Sequence, residues 1–503
     1  MDYREFRSTL IKIDEILVKS GLEHKLVSEA LDQYLVENEL NPTKFYNGKQ
    51  AGFHYKKFKH ALRCNIAHHL TGESYRLFSI RLADSELFQW FTGINAFGCR
   101  KAISKSSLER YEKLFDEKML SDEIHKWLAD LTDSNKAVSA GLYESIDCKT
   151  VFTDTTCVKA HIHFPVDWVL LRDGVRSILS SIKSIRSQGL KHRMMEPSLL
   201  LKRINKLSMP MTLVRRKKDG KKQRKSILRA MKKLTNCITK HGKRYRYLLN
   251  THWQETDWSY PQALQVIHRI DSILKQLPVA IKQAHERIIG GRLVSTEDKI
   301  LSLYDQDAHV IVRGKIESEI EFGQGLLLTE QADGLIIDWH LFKDQPPSDS
   351  KLIKPALERI KHYFGQIDHS CSDRGFNNKS NDTFLETNNI YNASCPRNPK
   401  QLQEKLKDPI FLSLQTRRSQ TEARIGIFKN VFLGKPLRSR ITTYKRLAIS
   451  WCVLTHNLVI VRPNFQLPTS FIAILNPNSI SVSLVRPRHI TVLPGGESEF
   501  LAR

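Results

Sequence analysis

The sequence has little that would support a thiolate metal site, a disulfide framework or a membrane span. Its eight cysteines are scattered and form no CxxC pair, so neither zinc binding nor disulfide stabilisation is indicated. No run of about 18 apolar residues occurs, and the opening segment, MDYREFRSTLIKIDEILVKSG, lacks the apolar core of a signal peptide. We therefore expect a protein of a reducing, cytoplasmic setting that has no membrane partner.

Acidic residues are also few relative to basic ones. The 503-residue chain has 79 Lys and Arg against 53 Asp and Glu, a formal net charge of +26. An excess of this size favours a polyanionic partner, because Lys and Arg displace the counterions condensed on phosphates. Hydrophobic residues still make up 41% of the chain, which is enough to form packed cores, and the length predicts two or three domains.

Residues 1–145 are predicted to be helical, because apolar residues such as Leu62, Ile66 and Leu70 recur at helical spacing. Ser85 and Ser106 precede helical runs and are predicted to be N-caps. Several short helices with a basic exterior suit a DNA-binding domain of the helix-turn-helix type. A plain helical bundle fits the same pattern equally well.

Residues 146–470 show the mixed pattern of an α/β domain. The β-branched segment Thr150–Thr156 predicts a first strand, and a helical insert is predicted at about 170–300. Further elements are predicted, in chain order, as a hairpin over 313–342 that turns at Ala332–Gly334, a helix from Asp349, strands near 366–372 and 389–394, and helices over Thr416–Leu433 and Thr442–Val461. The order indicates a mixed sheet flanked by helices, followed by a short C-terminal β extension at 471–503.

The helical insert is the most basic part of the chain. Residues 201–250 hold eighteen Lys and Arg against the single acid Asp219, about two-thirds of the net positive charge. A basic run can be a solvated loop, but interleaved Tyr245, Tyr247, Trp253 and Trp258 favour nucleic-acid contact, since bases stack on aromatic rings beside phosphate-binding groups. The predicted DNA contacts in the insert are Arg215, Arg216, Lys217, Lys218, Lys221, Lys222, Arg224 and Lys225.

Three acidic residues are candidates for metal-dependent chemistry. Asp154 lies within a predicted strand, where a carboxylate is disfavoured unless something repays its desolvation. Asp373 ends a short strand, and Glu422 lies on a helix. Carboxylates from two strands and a helix can meet at one sheet edge and bind Mg²⁺, although a chain with 53 acids offers many such triads by chance.

The motifs around these acids resemble the DDE transposases of bacterial insertion sequences, whose catalytic core is ribonuclease H-like. Asp154 in TDTTCVKAHIHFP is similar to the first catalytic Asp of that family, and Asp373 in SDRGFNN is similar to the second. Arg418, Glu422 and Lys429 fit the last three members of its Tyr-Arg-Glu-Lys helix signature. Gln415 stands where that signature has Tyr, which leaves the role of this position open. The helical stretch 50–120 also resembles the DNA-binding region of these transposases.

The resemblance implies that Asp154, Asp373 and Glu422 hold two Mg²⁺ or Mn²⁺ ions for DNA cleavage and strand transfer. Arg418 and Lys429, which return to one helix face, would hold phosphates of the element's end, and we include Arg374 among the expected DNA contacts. The implied partners are double-stranded DNA, as terminal inverted repeats and target, and a second copy of the chain in a synaptic complex, within a bacterial nucleoid. A catalytically inactive DNA-binding derivative and a nuclease without strand transfer are the alternatives.

Other polar residues have weaker patterns. Asp349 is predicted to be a helix N-cap, and His161 and His163 to be structural or DNA-facing. Glu317, Glu319 and Glu321 are predicted to form a solvated strand face, from which one carboxylate could act as an auxiliary metal ligand. Asp147 and Asp167 flank the first strand and are the alternatives to Asp154 as its catalytic aspartate.

Overall fold

The structure is a computed structural model that describes residues 3–48, 50–95, 101–214, 219–312, 320–434, 437 and 439–461. Within these residues the chain is an α/β protein in which helices flank a mixed sheet, as predicted. The expected C-terminal β extension at 471–503 and the start of the hairpin at 313–319, which contains Glu317 and Glu319, lie outside the described residues.

The described residues ahead of the first strand are mainly helical, as the periodicity predicts. They are α1 (Tyr3–Lys19), α2 (Leu22–Glu37), α3 (Pro42–Tyr46), α4 (Gln50–Thr71), α5 (Tyr75–Asp84), α6 (Glu86–Thr92), α7 (Lys105–Glu112), α8 (Glu117–Asp130) and α9 (Ser134–Ser139). Ser85 caps α6, as predicted, by accepting the Phe88 N–H at 3.4 Å. The expected cap at Ser106 was wrong, because Ser104 caps α7 by accepting the Ser107 N–H at 3.2 Å.

The insert is helical and has an apolar core of its own. Its helices are α10 (Asp167–Ser187), α11 (Pro197–Leu213), α12 (Gly220–His252) and α13 (Tyr260–Ala284), which continues into a π-helical turn at His285–Gly290. Ile178, Leu228, Ile238 and Ile270 are among the side chains buried between these helices. The insert therefore packs around apolar residues while carrying the densest positive charge of the chain.

The sheet combines a parallel and an antiparallel half. Its strands are β1 (Thr150–Lys159), β2 (His309–Val312), β3 (Ile320–Gln331), β4 (Ile336–Leu341), β5 (His369–Ser372) and β6 (Tyr391–Asn392). The spatial order is β2-β3-β1-β5-β6, and β4 pairs with the same edge of β3 as β2 does. Strand β1 is antiparallel to β3 but parallel to β5, which is parallel to β6. The strands at Thr150–Thr156, 366–372 and 389–394 are thus confirmed, with shorter bounds for the last two.

Glycine permits the β3–β4 hairpin at the predicted place. The turn between these strands closes where the Gly334 N–H donates to the Gln331 carbonyl at 3.0 Å, and Gly334 has a φ of 97°. This left-handed conformation disfavours any residue with a side chain. A Cβ at this position would also stand 2.4 Å from the Arg424 side chain, so the residue is constrained by space as well as by backbone conformation.

The chain after the hairpin supplies the helices α14 (Ile353–Phe364), α15 (Lys379–Thr387), α16 (Pro399–Lys405), α17 (Pro409–Ile427) and α18 (Thr442–Ile460). Almost every residue of α18 is buried, which is typical of a helix at the centre of a protein. It packs against α4 and α8 and also against β4, where Asn457 Nδ2 donates to the Ile336 carbonyl at 2.8 Å. One hydrophobic core therefore joins the N-terminal helices to the sheet.

None of the described helices is long and apolar enough to cross a membrane.

Candidate active site

Two of the three candidate acids are placed side by side by strand register. Thr153 of β1 is opposite Ser372 of β5 in the parallel pair, and Asp154 and Asp373 are the next residues along each strand. Adjacent strands lie about 4.8 Å apart. The backbone therefore brings these two carboxylates, 219 residues apart in the chain, to the same point of the sheet.

Backbone amides orient both carboxylates. The Thr155 N–H donates to Asp154 Oδ1 at 2.7 Å. Asp373 caps the 3₁₀ turn Arg374–Phe376, where the Gly375 N–H donates to Asp373 Oδ1 at 2.8 Å. Each carboxylate keeps its second oxygen outside that bond, so both can still accept a bond from, or coordinate, another group.

A fourth carboxylate, Asp349, lies beside this pair. The Thr155 hydroxyl donates to Asp349 Oδ1 at 3.1 Å. Asp349 Oδ2 and Asp373 Oδ1 each lie 3.0 Å from the position that a Cβ on Gly375 would take, so these two oxygens are at most about 6 Å apart. The predicted N-cap role of Asp349 was wrong: it is the first residue of a 3₁₀ turn, Asp349–Lys351, that follows Ser348, and α14 begins at Ile353.

We call Asp154, Asp349, Asp373 and Glu422 the acidic edge. Burial, together with the negative charges of Asp373 and Glu422, raises the pKa of Asp154 to about 6. The Thr155 amide and the Arg418 charge act in the opposite direction. The carboxylate of Asp154 is therefore close enough to both other candidate acids to respond to their charge, in a setting where its own charge is costly.

Glu422 is the most exposed member of the acidic edge. It lies on α17, which packs across β1 and β5, and its side chain is 64% exposed. Arg418, one turn earlier, approaches Glu422 Oε1 at 3.9 Å. A helical pair of this kind contributes only about 0.3–0.5 kcal/mol, so the contact does not fix the orientation of Glu422.

Gln415 occupies the position where the resemblance expects a tyrosine, and its amide connects α17 to the sheet. Its Nε2 donates to the Ala393 carbonyl at 2.6 Å and to the Ser372 carbonyl at 3.3 Å. Its Oε1 accepts from Arg418 Nε at 3.0 Å. Gln415 thus positions Arg418 relative to the strand end that carries Asp373, a role that the sequence left open.

The other two expected phosphate contacts are Lys429 and Arg374. Lys429 Nζ donates to the Thr156 hydroxyl on β1 at 3.0 Å. It lies in a π-helical turn, Phe428–Phe432, that widens the end of α17. Arg374 is exposed in the turn directly after Asp373. Lys429 is therefore bonded to a residue two positions after Asp154, and Arg374 directly follows Asp373.

Among the described residues, no group of three or more His, Cys, Asp or Glu side chains is already arranged to hold a metal ion. The acidic edge instead consists of Asp154, Asp349 and Asp373 near the end of β5, together with the exposed Glu422 on α17. Its donors are carboxylate oxygens, the type that Mg²⁺ and Mn²⁺ prefer.

The basic insert is confirmed as helical, but its aromatic residues differ from the expectation. Tyr245 is fully buried, and its hydroxyl donates to the His192 carbonyl at 3.0 Å and accepts from Arg186 at 2.9 Å. It is a core residue and was wrongly placed among the stacking candidates, whereas Tyr247 is 69% exposed. Trp253 and Trp258 are half-buried against the core of the insert.

The predicted basic contacts of the insert divide into three groups. Lys221 and Lys222 are exposed at the start of α12, and Arg224 and Lys225 are half-buried one turn later. Arg215, Arg216, Lys217 and Lys218 lie outside the described residues.

The remaining carboxylate candidates have structural partners. Asp167 is buried, and both of its oxygens accept from Arg287 at 2.9 Å. Asp147 accepts the Lys149 N–H at 2.9 Å, and Glu321 pairs with Lys159 at 3.1 Å. Asp154 itself lies within β1, as predicted.

Comparison of the chain with protein-family models, with curated proteins and with solved structures finds no match.

Proposed function

We propose that the protein is a transposase of the DDE type, with a ribonuclease H-like core, that cuts DNA at the ends of a bacterial insertion sequence and transfers the freed strands. The observation that carries the proposal is the register of β1 and β5, which brings Asp154, in the middle of β1, beside Asp373 at the end of β5. The response of the Asp154 pKa to the charge of Glu422 supports the same grouping. The sheet, with an antiparallel hairpin on one side of β1 and parallel strands on the other, is compatible with that core.

Asp154, Asp373 and Glu422 would hold Mg²⁺ or Mn²⁺, with two ions expected. The residues fit these ions, because their ligand atoms are oxygens. A bound cation would also offset the cost of the buried Asp154 charge and its repulsion by the neighbouring acids, the two effects that raise the pKa of Asp154. Asp349 is close enough to Asp373 to serve as an additional oxygen donor. The ions would supply an activated attacking oxygen and a stabilised leaving oxygen.

The chain's own cations would position the DNA strand. Arg418, held by Gln415, and Lys429, bonded to Thr156, would bind phosphates of the element's end. Phosphate contacts of this kind fix the register of a strand without reading its sequence. Arg374 would extend the same contact beyond Asp373.

The rest of the proposed DNA interface lies on the N-terminal helices and the insert. The helical region before β1 would bind terminal inverted repeats, and the exposed Lys221 and Lys222 would contact the backbone outside the acidic edge. Two copies of the chain would join two element ends in one synaptic complex, associated with the nucleoid.

The test is strand cleavage and strand transfer on DNA carrying the element's ends, with Mg²⁺ or Mn²⁺. Asp154→Asn, Asp373→Asn and Glu422→Gln should each abolish both reactions while retaining DNA binding in EDTA. Asp344→Asn and Glu404→Gln change exposed acids away from the acidic edge and should leave both reactions intact. Undiminished cleavage by any of the first three variants would remove that residue from the proposed site.

The same assay separates the two alternatives. DNA binding without cleavage under any metal condition would identify an inactive DNA-binding derivative. Cleavage without joining to a target would identify a nuclease with the same core.

A further inference from the structure

A polar cavity of about 500 Å³ lies where the end of β1 meets the helical insert. Its wall is formed by the segment after β1, one face of α10, a residue of α13, the segment 301–304 and a residue ahead of α18. Six of the lining side chains carry guanidinium or imidazole nitrogen groups: His161, His163, Arg172, Arg176, Arg269 and Arg440. Among the described residues that line the cavity, Asp173 is the one acid.

Side-chain bonds between distant segments shape the cavity. The Ser177 hydroxyl lies 2.7 Å from the Tyr304 hydroxyl, which in turn donates to the Asp173 carbonyl at 3.3 Å. The guanidinium of Arg440 lies over the Tyr304 ring, 5.2 Å from its centroid. Ser302 accepts the Tyr304 N–H at 3.1 Å. The cavity is therefore a preformed site, because α10, segment 301–304 and Arg440 are held in a common arrangement.

The charges on the wall are not balanced within the described residues. Arg172 pairs with Asp173 at 3.2 Å, and Arg440 has its aromatic contact with Tyr304. Arg176 and Arg269 lie on different helices, are exposed to the cavity and have no ion-pair partner among the described residues. Converging cations repel one another unless an anion lies between them, and the planar guanidinium group matches phosphate oxygens in a two-point contact.

We propose that this cavity binds the phosphate groups of a nucleotide unit, with Arg176 and Arg269 as its principal ligands. The volume is within the range of pockets that enclose small ligands, and His161 and His163 provide further possible donors on the cavity wall. The unit is either a free nucleotide or one unit of a DNA strand, because both present the same phosphate chemistry.

The position of the cavity allows either source. His161 follows Asp154 by seven residues along β1 and the segment after it, a separation of no more than about 25 Å. A strand bound at the acidic edge could reach the cavity within roughly seven base pairs of B-form spacing. A free nucleotide would instead enter from solvent, since Arg176 and Arg269 are exposed.

The experiment uses the full chain in EDTA, so that no cleavage is required and its result is independent of the proposed catalysis. Binding of pyrophosphate and of ATP is measured by calorimetry, and binding of a fluorescent duplex by anisotropy over a range of KCl concentrations. Arg176→Gln and Arg269→Gln are compared with Lys183→Gln and Lys275→Gln, which remove exposed cations from the same two helices, α10 and α13, away from the cavity wall.

If the source is a free nucleotide, each arginine variant should weaken pyrophosphate and ATP binding about tenfold, as expected for one lost charge-assisted contact. If the source is a DNA strand, each should weaken duplex binding and reduce the slope of log affinity against log salt by about one. The lysine controls should change neither quantity to that extent.

Three results would overturn the proposal. The first is a wild type that binds none of the three probes, and the second is a pair of arginine variants that bind all of them as the wild type does. The third is a loss of binding in the lysine controls as large as that in the arginine variants, which would assign binding to overall charge and not to the cavity. Circular dichroism of each variant verifies that the exposed substitutions leave the fold intact.

Discussion

Asp154 should destabilise the metal-free protein at neutral pH, and replacing it with asparagine should make the fold more stable. Its pKa is raised from 3.8 to about 6, mainly by burial and then by the charges of Asp373 and Glu422. A rise of this size corresponds to about 3 kcal/mol of unfavourable free energy for the ionised form in the folded state. The Asp154→Asn side chain would keep the bond from the Thr155 N–H without that charge.

The pH dependence follows from the direction of the shift. Because the folded protein holds the Asp154 proton more tightly than the unfolded chain, wild-type stability falls as pH rises from about 4 to about 6. The penalty is absent below the unfolded pKa and complete above the folded one. The difference in free energy of unfolding between Asp154→Asn and wild type should therefore be small at pH 4 and reach about 3 kcal/mol at pH 8.

The assay is urea unfolding in EDTA, followed by tryptophan fluorescence at pH 4 and at pH 8. Asp344→Asn, which changes an exposed aspartate, is the matched control and should show no difference that grows with pH. Mg²⁺ at pH 8 should stabilise the wild type and not Asp154→Asn, because only the native wild-type site binds the ion. An Asp154→Asn protein that is equally or less stable than wild type at both pH values would refute this account of the acidic edge.

Three further variants test the local geometry. Gly375→Ala would place a Cβ 3.0 Å from oxygens of Asp349 and Asp373. It should weaken Mg²⁺ binding about tenfold, or about 1.4 kcal/mol, and leave the unfolding midpoint unchanged. Full Mg²⁺ affinity in calorimetry would contradict the close approach of the two carboxylates. Gln415→Ala removes the bonds to Ala393 and Arg418 and should slow DNA cleavage about fivefold, as expected for about 1 kcal/mol from the lost support of Arg418. A normal single-turnover rate would show that Arg418 needs no such support. In the wild type, Lys445 bonds to the buried Asp305 carboxylate at 2.8 Å. Lys445→Met leaves that carboxylate without its cation and should lower the free energy of unfolding by about 3–5 kcal/mol. Adding Asp305→Asn to this variant should restore most of the lost stability, as measured by the unfolding midpoint.

Local patterns in the sequence were sufficient to predict most elements of the fold. The β-branched run at Thr150–Thr156 and the turn ending at Gly334 specify β1 and the β3–β4 hairpin by short-range chemistry. The apolar periodicity also predicts the helical N-terminal region and the helical insert. Some errors concern a choice between neighbouring residues, such as Ser104 over Ser106 as the cap of α7, because both serines offer the same hydroxyl and only the exact helix start distinguishes them.

Burial within the insert could not be predicted in the same way. Tyr245 and Tyr247 are two residues apart in a basic helix, and the composition around them is nearly identical. Two positions on a helix differ by about 200° of rotation, so one tyrosine faces the core and the other faces solvent. The two tyrosines could have been distinguished by their spacing from apolar residues of α12. Tyr245 lies seven residues after Ile238 and four before Leu249, so it falls on the same buried helix face.

The candidate site illustrates what register adds to a list of acids. Asp154 and Asp373 were singled out by motif, but their proximity depends on the parallel pairing of β1 with β5, a long-range contact that no local pattern specifies. Asp349 had the pattern of a cap and was assigned as one. Its contact with Thr155 depends on the position of the turn before α14 beside the middle of β1. Motifs alone therefore miss residues such as Asp349, whose role depends on a contact with a segment that is distant in the sequence.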